Sequence, residues 1–203
     1  SNAARGVSFR DANDVKVGPI TADAVVLDVG GISQQTGKIE ATTLTVTGSS
    51  GAIVLDDLTN EVGTLSITNT GRDITYFDSD GIIVASLAGD DVNLVAGPIT
   101  QTGAITATTL TVTGSNGAVL LDDLNNDVGG LSITNSNRSI TFTDKTGVDI
   151  ISLSGGALAL QVAGDLTQTG AITGTSLSVT ALAGTVTLTN ASNDVDSVSI
   201  VNT

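Results

Sequence analysis

The sequence predicts an all-β protein, a right-handed parallel β-helix (a solenoid) of about nine coils of about 22 residues, with three short strands per coil. Three observations predict this fold. The composition is aliphatic and rich in threonine and glycine, a long stretch of sequence is duplicated, and a shorter period runs inside the duplication.

The composition replaces aromatic residues with aliphatic ones. Hydrophobic residues make up 40% of the 203 residues, yet the chain has only three Phe and one Tyr and no Trp, Met or Cys. The 24 Gly and 31 Thr suit short strands joined by tight turns. A conventional globular core is therefore not expected.

The same composition excludes several classes of function. Without His or Cys the chain cannot supply a His-ligated or thiolate metal site, a Ser-His-Asp triad or a Cys nucleophile. Twenty-one acidic against seven basic residues give a formal charge of −14, which disfavours nucleic acid and anionic membranes as partners. No run of 18 apolar residues occurs, so no membrane insertion is expected, and no cofactor is predicted.

A long repeat organises the chain. Residues 102–124 match residues 36–58 at 18 of 23 positions, which indicates duplication, and Thr36, Thr102 and Thr169 are equivalent residues of successive copies. Ser1–Ala3 are interpreted as the remnant of a cleaved tag, and the rest as one β-helix segment, 4–203. The predicted copies are 36–101 and 102–168, with partial copies 4–35 and 169–203. Because both ends fall inside repeats, we expect them to fray or to stack end to end.

A shorter repeat appears inside each long one. The aliphatic residues that open each L-x-V-T or L-x-I-T string are Ile20, Leu44, Leu65, Leu87, Leu110, Leu131, Leu153, Leu177 and Val198. Their spacing of 21 to 24 residues predicts nine coils, with Leu44 over Leu65 over Leu87 at ~4.8 Å. A second column of i, i+2 pairs, such as Ile53/Leu55, has the period of a strand.

The short Gly, Asn and Asp corners leave no room for helical crossovers, so the strands are expected to form a solenoid. The right hand follows from the preference of parallel connections. An antiparallel sandwich does not require a 22-residue register, and a propeller blade of about 40 to 45 residues fits neither period.

Several strings resemble a known family. ITQTGAIT (99–106), LTQTGAIT (166–173), NNDVGGLSITNSN (125–137) and ITFTDKTGV (140–148) look like repeats of large secreted bacterial haemagglutinin-type adhesins. Related proteins are filamentous haemagglutinin and other exoproteins exported by two-partner secretion or as autotransporters. The resemblance implies a right-handed β-helical shaft, secreted or at the outer-membrane surface. It carries over no binding residue.

Acidic corners are the first candidate sites. Asp78 and Asp80 open a string that begins like an EF-hand loop and are weak calcium candidates, but their copies lack the second ligand or the glycine, and no distal Glu follows. Asp side chains that cap tight turns are the favoured interpretation. Recurring Asn60 and Asn126 suggest amide ladders between coils.

Outward threonines are the second candidate. Thr45, Thr47, Thr111 and Thr113 could form two hydroxyl columns on a flat face, as in some ice-binding solenoids, although every third coil breaks the pattern. Polysaccharide-degrading β-helix enzymes are a further alternative, but the outward positions of the first strand offer hydroxyls and no acid, base or electrophile.

The sequence therefore predicts a non-catalytic structural shaft of an adhesin-like extracellular protein, whose regular partners are neighbouring repeats of the same chain. The alternative is that the segment itself binds a host glycan or surface protein.

Overall fold

A computed structural model describes residues 5–203 and contains only β-structure in that range. The tag remnant predicted at Ser1–Ala3 lies outside the described residues. Within residues 5–203 there is no helix with the length and apolarity needed to cross a membrane.

Twenty-two strands follow one another along the described chain. The first nine are β1 (Gly6–Arg10), β2 (Asp14–Val17), β3 (Ile20–Val29), β4 (Gly31–Gln35), β5 (Ile39–Gly48), β6 (Ile53–Leu55), β7 (Glu61–Thr68), β8 (Ile74–Phe77) and β9 (Ile82–Ala88). The next seven are β10 (Asp91–Ala96), β11 (Ile99–Gln101), β12 (Ile105–Gly114), β13 (Val119–Leu121), β14 (Asp127–Thr134), β15 (Ile140–Asp144) and β16 (Val148–Ser154). The last six are β17 (Ala157–Val162), β18 (Leu166–Gln168), β19 (Ile172–Gly174), β20 (Ser176–Ala181), β21 (Asp194–Val195) and β22 (Val198–Asn202).

The strands pair in parallel between successive coils. One series runs β1–β3–β5–β7–β9 and another runs β2–β4–β6–β8–β10. Long strands pass a corner: in β12, Ile105 and Thr106 pair with β9, whereas Thr109–Gly114 pair with β10. The predicted all-β parallel solenoid is confirmed, with about ten turns rather than nine and about 19–22 residues in a typical turn. The right hand of the coil stays a prediction.

Alternation along each strand builds the interior. In β5, Leu44 and Val46 are buried while Thr45 and Thr47 are exposed, as a period of two requires. The inward residues form one hydrophobic cluster that continues from Val17 to Ala181.

Aromatic rings enter this narrow interior at only two fully buried positions of the described chain. Tyr76 and Phe142 are its largest fully buried side chains and occupy equivalent places in the two full copies. Aliphatic layers fill the rest, which accounts for the composition.

The long repeat and the turns of the solenoid are out of phase. Leu44 pairs with Leu65 as predicted, but Leu65 pairs with Val84 and not with Leu87. Leu87 instead pairs with Ile67. The predicted leucine column is wrong at this coil because any aliphatic residue can fill an inward position, so residue type does not identify the column.

The column of inward residues that contains Leu110 lies at a different part of the coil from the column that contains Leu44. Three turns lead from Ile53 through Ile74 and Val92 to Leu110. The residue equivalent to Ile53 in the next copy is not Leu110 but Val119, which lies nearly half a turn further along the chain and pairs with Ile99. Equivalent residues of successive copies consequently lie on different sides of the solenoid.

Candidate functional site

The calcium candidate Asp78 is a buried corner residue whose two carboxylate oxygens both accept hydrogen bonds. Its Oδ2 accepts hydrogen bonds from the Tyr76 hydroxyl at 2.7 Å and the Val62 N–H at 3.0 Å. Its Oδ1 accepts the Asp80 N–H at 2.9 Å, while Asp80 itself is exposed. Within residues 5–203 no group of three or more acidic residues is placed to hold a metal ion. The Asp78 carboxylate thus joins two successive coils through backbone hydrogen bonds.

The second copy repeats this corner. The Asp144 carboxylate accepts the Val128 N–H at 2.8 Å, and the Thr146 N–H at 2.7 Å. Burial raises the pKa of both Asp78 and Asp144, although the hydrogen bonds act in the opposite direction. Burial also raises the pKa of Tyr76 far above its ordinary value. At these corners the Asp78 and Asp144 carboxylates act as hydrogen-bond acceptors, and the Tyr76 hydroxyl acts as a donor.

Amide pairs, rather than asparagine ladders, fill another corner. Asn60 accepts the Gln35 Nε2–H at 2.6 Å and the Ile39 N–H at 2.8 Å, and its Nδ2 donates to the Phe77 carbonyl at 2.9 Å. Gln101 with Asn126 repeats the arrangement. Each Asn therefore meets a Gln of the preceding coil. An Asn of the next copy cannot be its neighbour because equivalent residues of successive copies lie about three turns apart.

The four threonines predicted as a surface-binding face lie in two separate columns. Thr45 is followed in its column by Ser66 and Ser86. The column of Thr111 runs back through Asn93 and Thr75 to Val54, which lies further along the coil than Thr45. Thr47 lies two positions beyond Thr45 on the same strand, and Thr113 lies two positions beyond Thr111, so this second pair of threonines is separated in the same way. These threonines do not form one flat face.

A polar groove on the outside of the solenoid is a further candidate site. It crosses β8, β10 and β12 and has a volume of about 310 Å³. Its polar lining consists of Asp73, Thr75, Asp91, Asn93, Thr109 and Thr111. Period-two alternation places the lining at outward positions, while Ile74 and Val92 beside it point into the core.

The groove spans the junction of the two full copies, and its acidic and amide side chains, which come from the first copy, are not repeated in the second. Asp73, Asp91 and Asn93 correspond to Ser139, Ala157 and Ala159 in the next copy, which removes both carboxylates and the amide. Reasoning from shared repeats missed the groove because it concentrated on what the copies have in common. The substitutions between copies were the signal that could have found it.

The chemistry of the groove suits a neutral polyhydroxyl ligand. Carboxylates accept hydrogen bonds, the Asn93 amide both accepts and donates, and threonine hydroxyls do either. The residues that line the groove include no basic side chain and no aromatic ring. The carboxylates, the amide and the hydroxyls of the lining can therefore hydrogen-bond a ligand.

Comparison with protein families assigns the chain to one family. Residues 4–69, 71–135 and 137–202 each match the family described as repeats of unknown function (DUF5649), so the chain belongs to that family. Comparison with curated proteins and with solved structures finds no match. The chain is a repetitive β-solenoid structural protein.

Proposed function

We propose that the chain is a non-catalytic shaft segment of a secreted or cell-surface adhesin-like protein, which holds a binding region away from the cell. The observation that carries the proposal is the continuity of the ladders and of the single aliphatic cluster from Val17 to Ala181. Bending such a rod at any coil would open parallel hydrogen bonds and expose packed side chains together. Length and stiffness are then the properties that matter.

The distribution of surface groups supports the same role. Because each copy advances nearly half a turn, a side chain repeated once per copy does not accumulate on one face. The acidic surface, with a formal charge of −14, opposes side-by-side association. Both properties help one shaft to avoid associating side by side with other shafts.

The extracellular location and the link to adhesins rest on the repeat strings quoted above, such as ITQTGAIT at 99–106. Their resemblance to haemagglutinin-type exoproteins supports a secreted protein.

Binding and activity measurements on this chain test the shaft role. We expect no binding on a glycan array or to cultured host cells, and no hydrolysis or elimination on a panel of polysaccharides. Atomic-force imaging should show straight rods. Activity on a polysaccharide, or flexible, bent particles, would contradict the proposal.

A second candidate function is glycan binding by the segment itself, and the polar groove at Asp91 and Asn93 is the observation that favours it. The variant Asp91→Ala/Asn93→Ala gives these two positions the residues of the second copy. If the groove binds a glycan, this variant should lose the array signal, whereas Thr45→Ala/Thr47→Ala, on another column, should keep it. Equal signals from both variants would exclude the groove.

A further inference from the structure

The two ends of the solenoid are open, apolar and different from each other. At the amino-terminal end, Val7, Phe9, Val15, Val17, Ile20 and Leu27 line a pocket of about 260 Å³. At the carboxy-terminal end, Ile172, Leu177, Leu188, Val195, Val198 and Ile200 line one of about 210 Å³. Phe9 is 46% exposed, although its equivalents Tyr76 and Phe142 are fully buried. Within residues 5–203 no coil covers Phe9 on the side where a preceding coil covers Tyr76 and Phe142.

The repeats specify which coil would cover Phe9. Phe142 lies on Leu121, and Tyr76 lies on Leu55. Leu188 is the equivalent of Leu55 and Leu121 in the third copy, and it lies at the open carboxy-terminal end. The surface that matches Phe9 is thus present on the opposite end of the same chain.

From this match we infer that the chain associates head to tail, with the first coil of a second copy stacked on the last coil of the first. The pairs inside the chain give the register of the junction. Val119 with Ile140 predicts Val186 with Val7 of the second copy. Leu131 with Ile150 predicts Val198 with Val17, and Ile133 with Leu153 predicts Ile200 with Ile20.

Polar groups at the two ends are complementary as well. Inside the chain, Asp78 and Asp144 accept the N–H groups of Val62 and Val128. Their equivalent Asp11, at the amino-terminal end, would accept the N–H of Val195 in the preceding copy.

Asn193 supports the same junction. The Nδ2 groups of Asn60 and Asn126 donate to the carbonyls of Phe77 and Thr143 in the following coil. The equivalent acceptor for Asn193 would be the Arg10 carbonyl of the second copy. An unrelated apolar partner would not supply both polar contacts.

Charge gives the junction its direction. Arg5, Arg10 and Lys16 lie in the first coil, whereas the chain has no Lys or Arg after Lys145. Asp194 and Asp196 lie in the last coil. Asp11 and Asp14 share the first coil, and Arg10 already pairs with Asp28, but the first coil still carries more basic than acidic side chains and the last coil only acidic ones, which favours head-to-tail over like-end contacts. A heterologous contact that does not close produces linear assemblies.

Complementary end variants test the inference. Wild-type protein examined by sedimentation velocity over a concentration series should form rods that lengthen by one chain, about 48 Å for ten turns at ~4.8 Å. Phe9→Asp and Leu188→Asp should each stay monomeric. Mixed in equal amounts, they should form a dimer and nothing larger, because only one pair of intact ends remains. Leu124→Asp, on an exposed mid-shaft corner, should assemble like wild type.

A charge swap provides a test that leaves the apolar ends intact. Lys16→Glu should weaken assembly, and Asp194→Lys/Asp196→Lys should restore it in a mixture, with circular dichroism confirming that every variant is folded. A wild-type protein that is monomeric at all concentrations would overturn the inference. So would assembly of either single-end variant alone, or a mixture that forms no dimer.

Discussion

The equivalent corners of the two full copies carry the same carboxylate beside different rings. In the first copy the Tyr76 hydroxyl donates to Asp78 at 2.7 Å. In the second copy the ring is Phe142, and the Thr146 hydroxyl donates to Asp144 at 2.8 Å instead. Both carboxylates keep the backbone N–H of the preceding coil, from Val62 and from Val128.

The comparison separates what the corner requires from what it tolerates. The carboxylate that ties one coil to the previous one is present in both copies, and so is a large ring in the core. The hydroxyl donor is interchangeable. The corner is therefore built around the backbone hydrogen bond, and its third donor only adjusts the stability.

The largest effect is expected from charging the core, and it should be alike in both copies. Leu44→Asp and Leu110→Asp would each bury an unpaired carboxylate among aliphatic side chains, at a cost of several kcal/mol. Urea unfolding should show the loss. Thr45→Asp and Thr111→Asp, one position along and facing outward, should change the stability little. Equal damage from inward and outward substitutions would contradict the alternation.

A smaller effect is expected from removing the corner carboxylates. Asp78→Ala and Asp144→Ala leave a buried backbone N–H without its acceptor, and each should lower the free energy of unfolding by about 1–3 kcal/mol. Asp→Asn at either position keeps an acceptor and should cost less. If Asp78→Ala were harmless while Asp144→Ala was not, the two corners would not be equivalent.

The pH dependence should separate these two carboxylates from the rest of the acidic surface. Burial raises their pKa in the folded state above the ordinary 3.8, so the folded protein binds these protons more tightly than the unfolded chain. The resulting stabilisation is complete below that ordinary value and is lost as the pH rises through the raised pKa. Thermal melting at steps from pH 7 down to pH 4 should show rising stability. The double variant Asp78→Asn/Asp144→Asn should flatten this trend.

The smallest effect is expected from Tyr76→Phe, which gives the first copy the ring of the second. The Asp78 carboxylate loses one donor but keeps its two backbone hydrogen bonds, so the cost should be about 0.5–1.5 kcal/mol. Urea unfolding should resolve it. A loss as large as that of Asp78→Ala would show that the hydroxyl, and not the backbone N–H, is the main partner.

The sequence was sufficient to predict the class of fold and the direction of most side chains. Alternation in strings such as LTVTG placed Leu44 inward and Thr45 outward, and the pairing of Leu110 with Leu131 is confirmed. These features follow from the period of a strand, which residue type reports directly.

The phase of the coils could not be predicted in this way. Leu87 and Val84 are both suitable core residues, and Val84 follows Leu65 with a register shift directly after this pair, which residue type does not reveal. The polar groove depends on the same phase, because Thr75, Asn93 and Thr111 become neighbours only through two successive turns that are shorter than the turns on either side. Repeat spacing alone would have separated them.

Disulfide trapping tests the central claim, that the repeat and the turns are out of phase, most directly. The chain has no cysteine, so engineered pairs can be read without interference. Asn93→Cys/Thr111→Cys joins residues that the structure makes neighbours, at a strand spacing of ~4.8 Å that suits a disulfide. Ala88→Cys/Thr111→Cys joins the residues that the leucine column would stack. The account predicts rapid, complete oxidation of the first pair and none of the second, and the reverse result would contradict it.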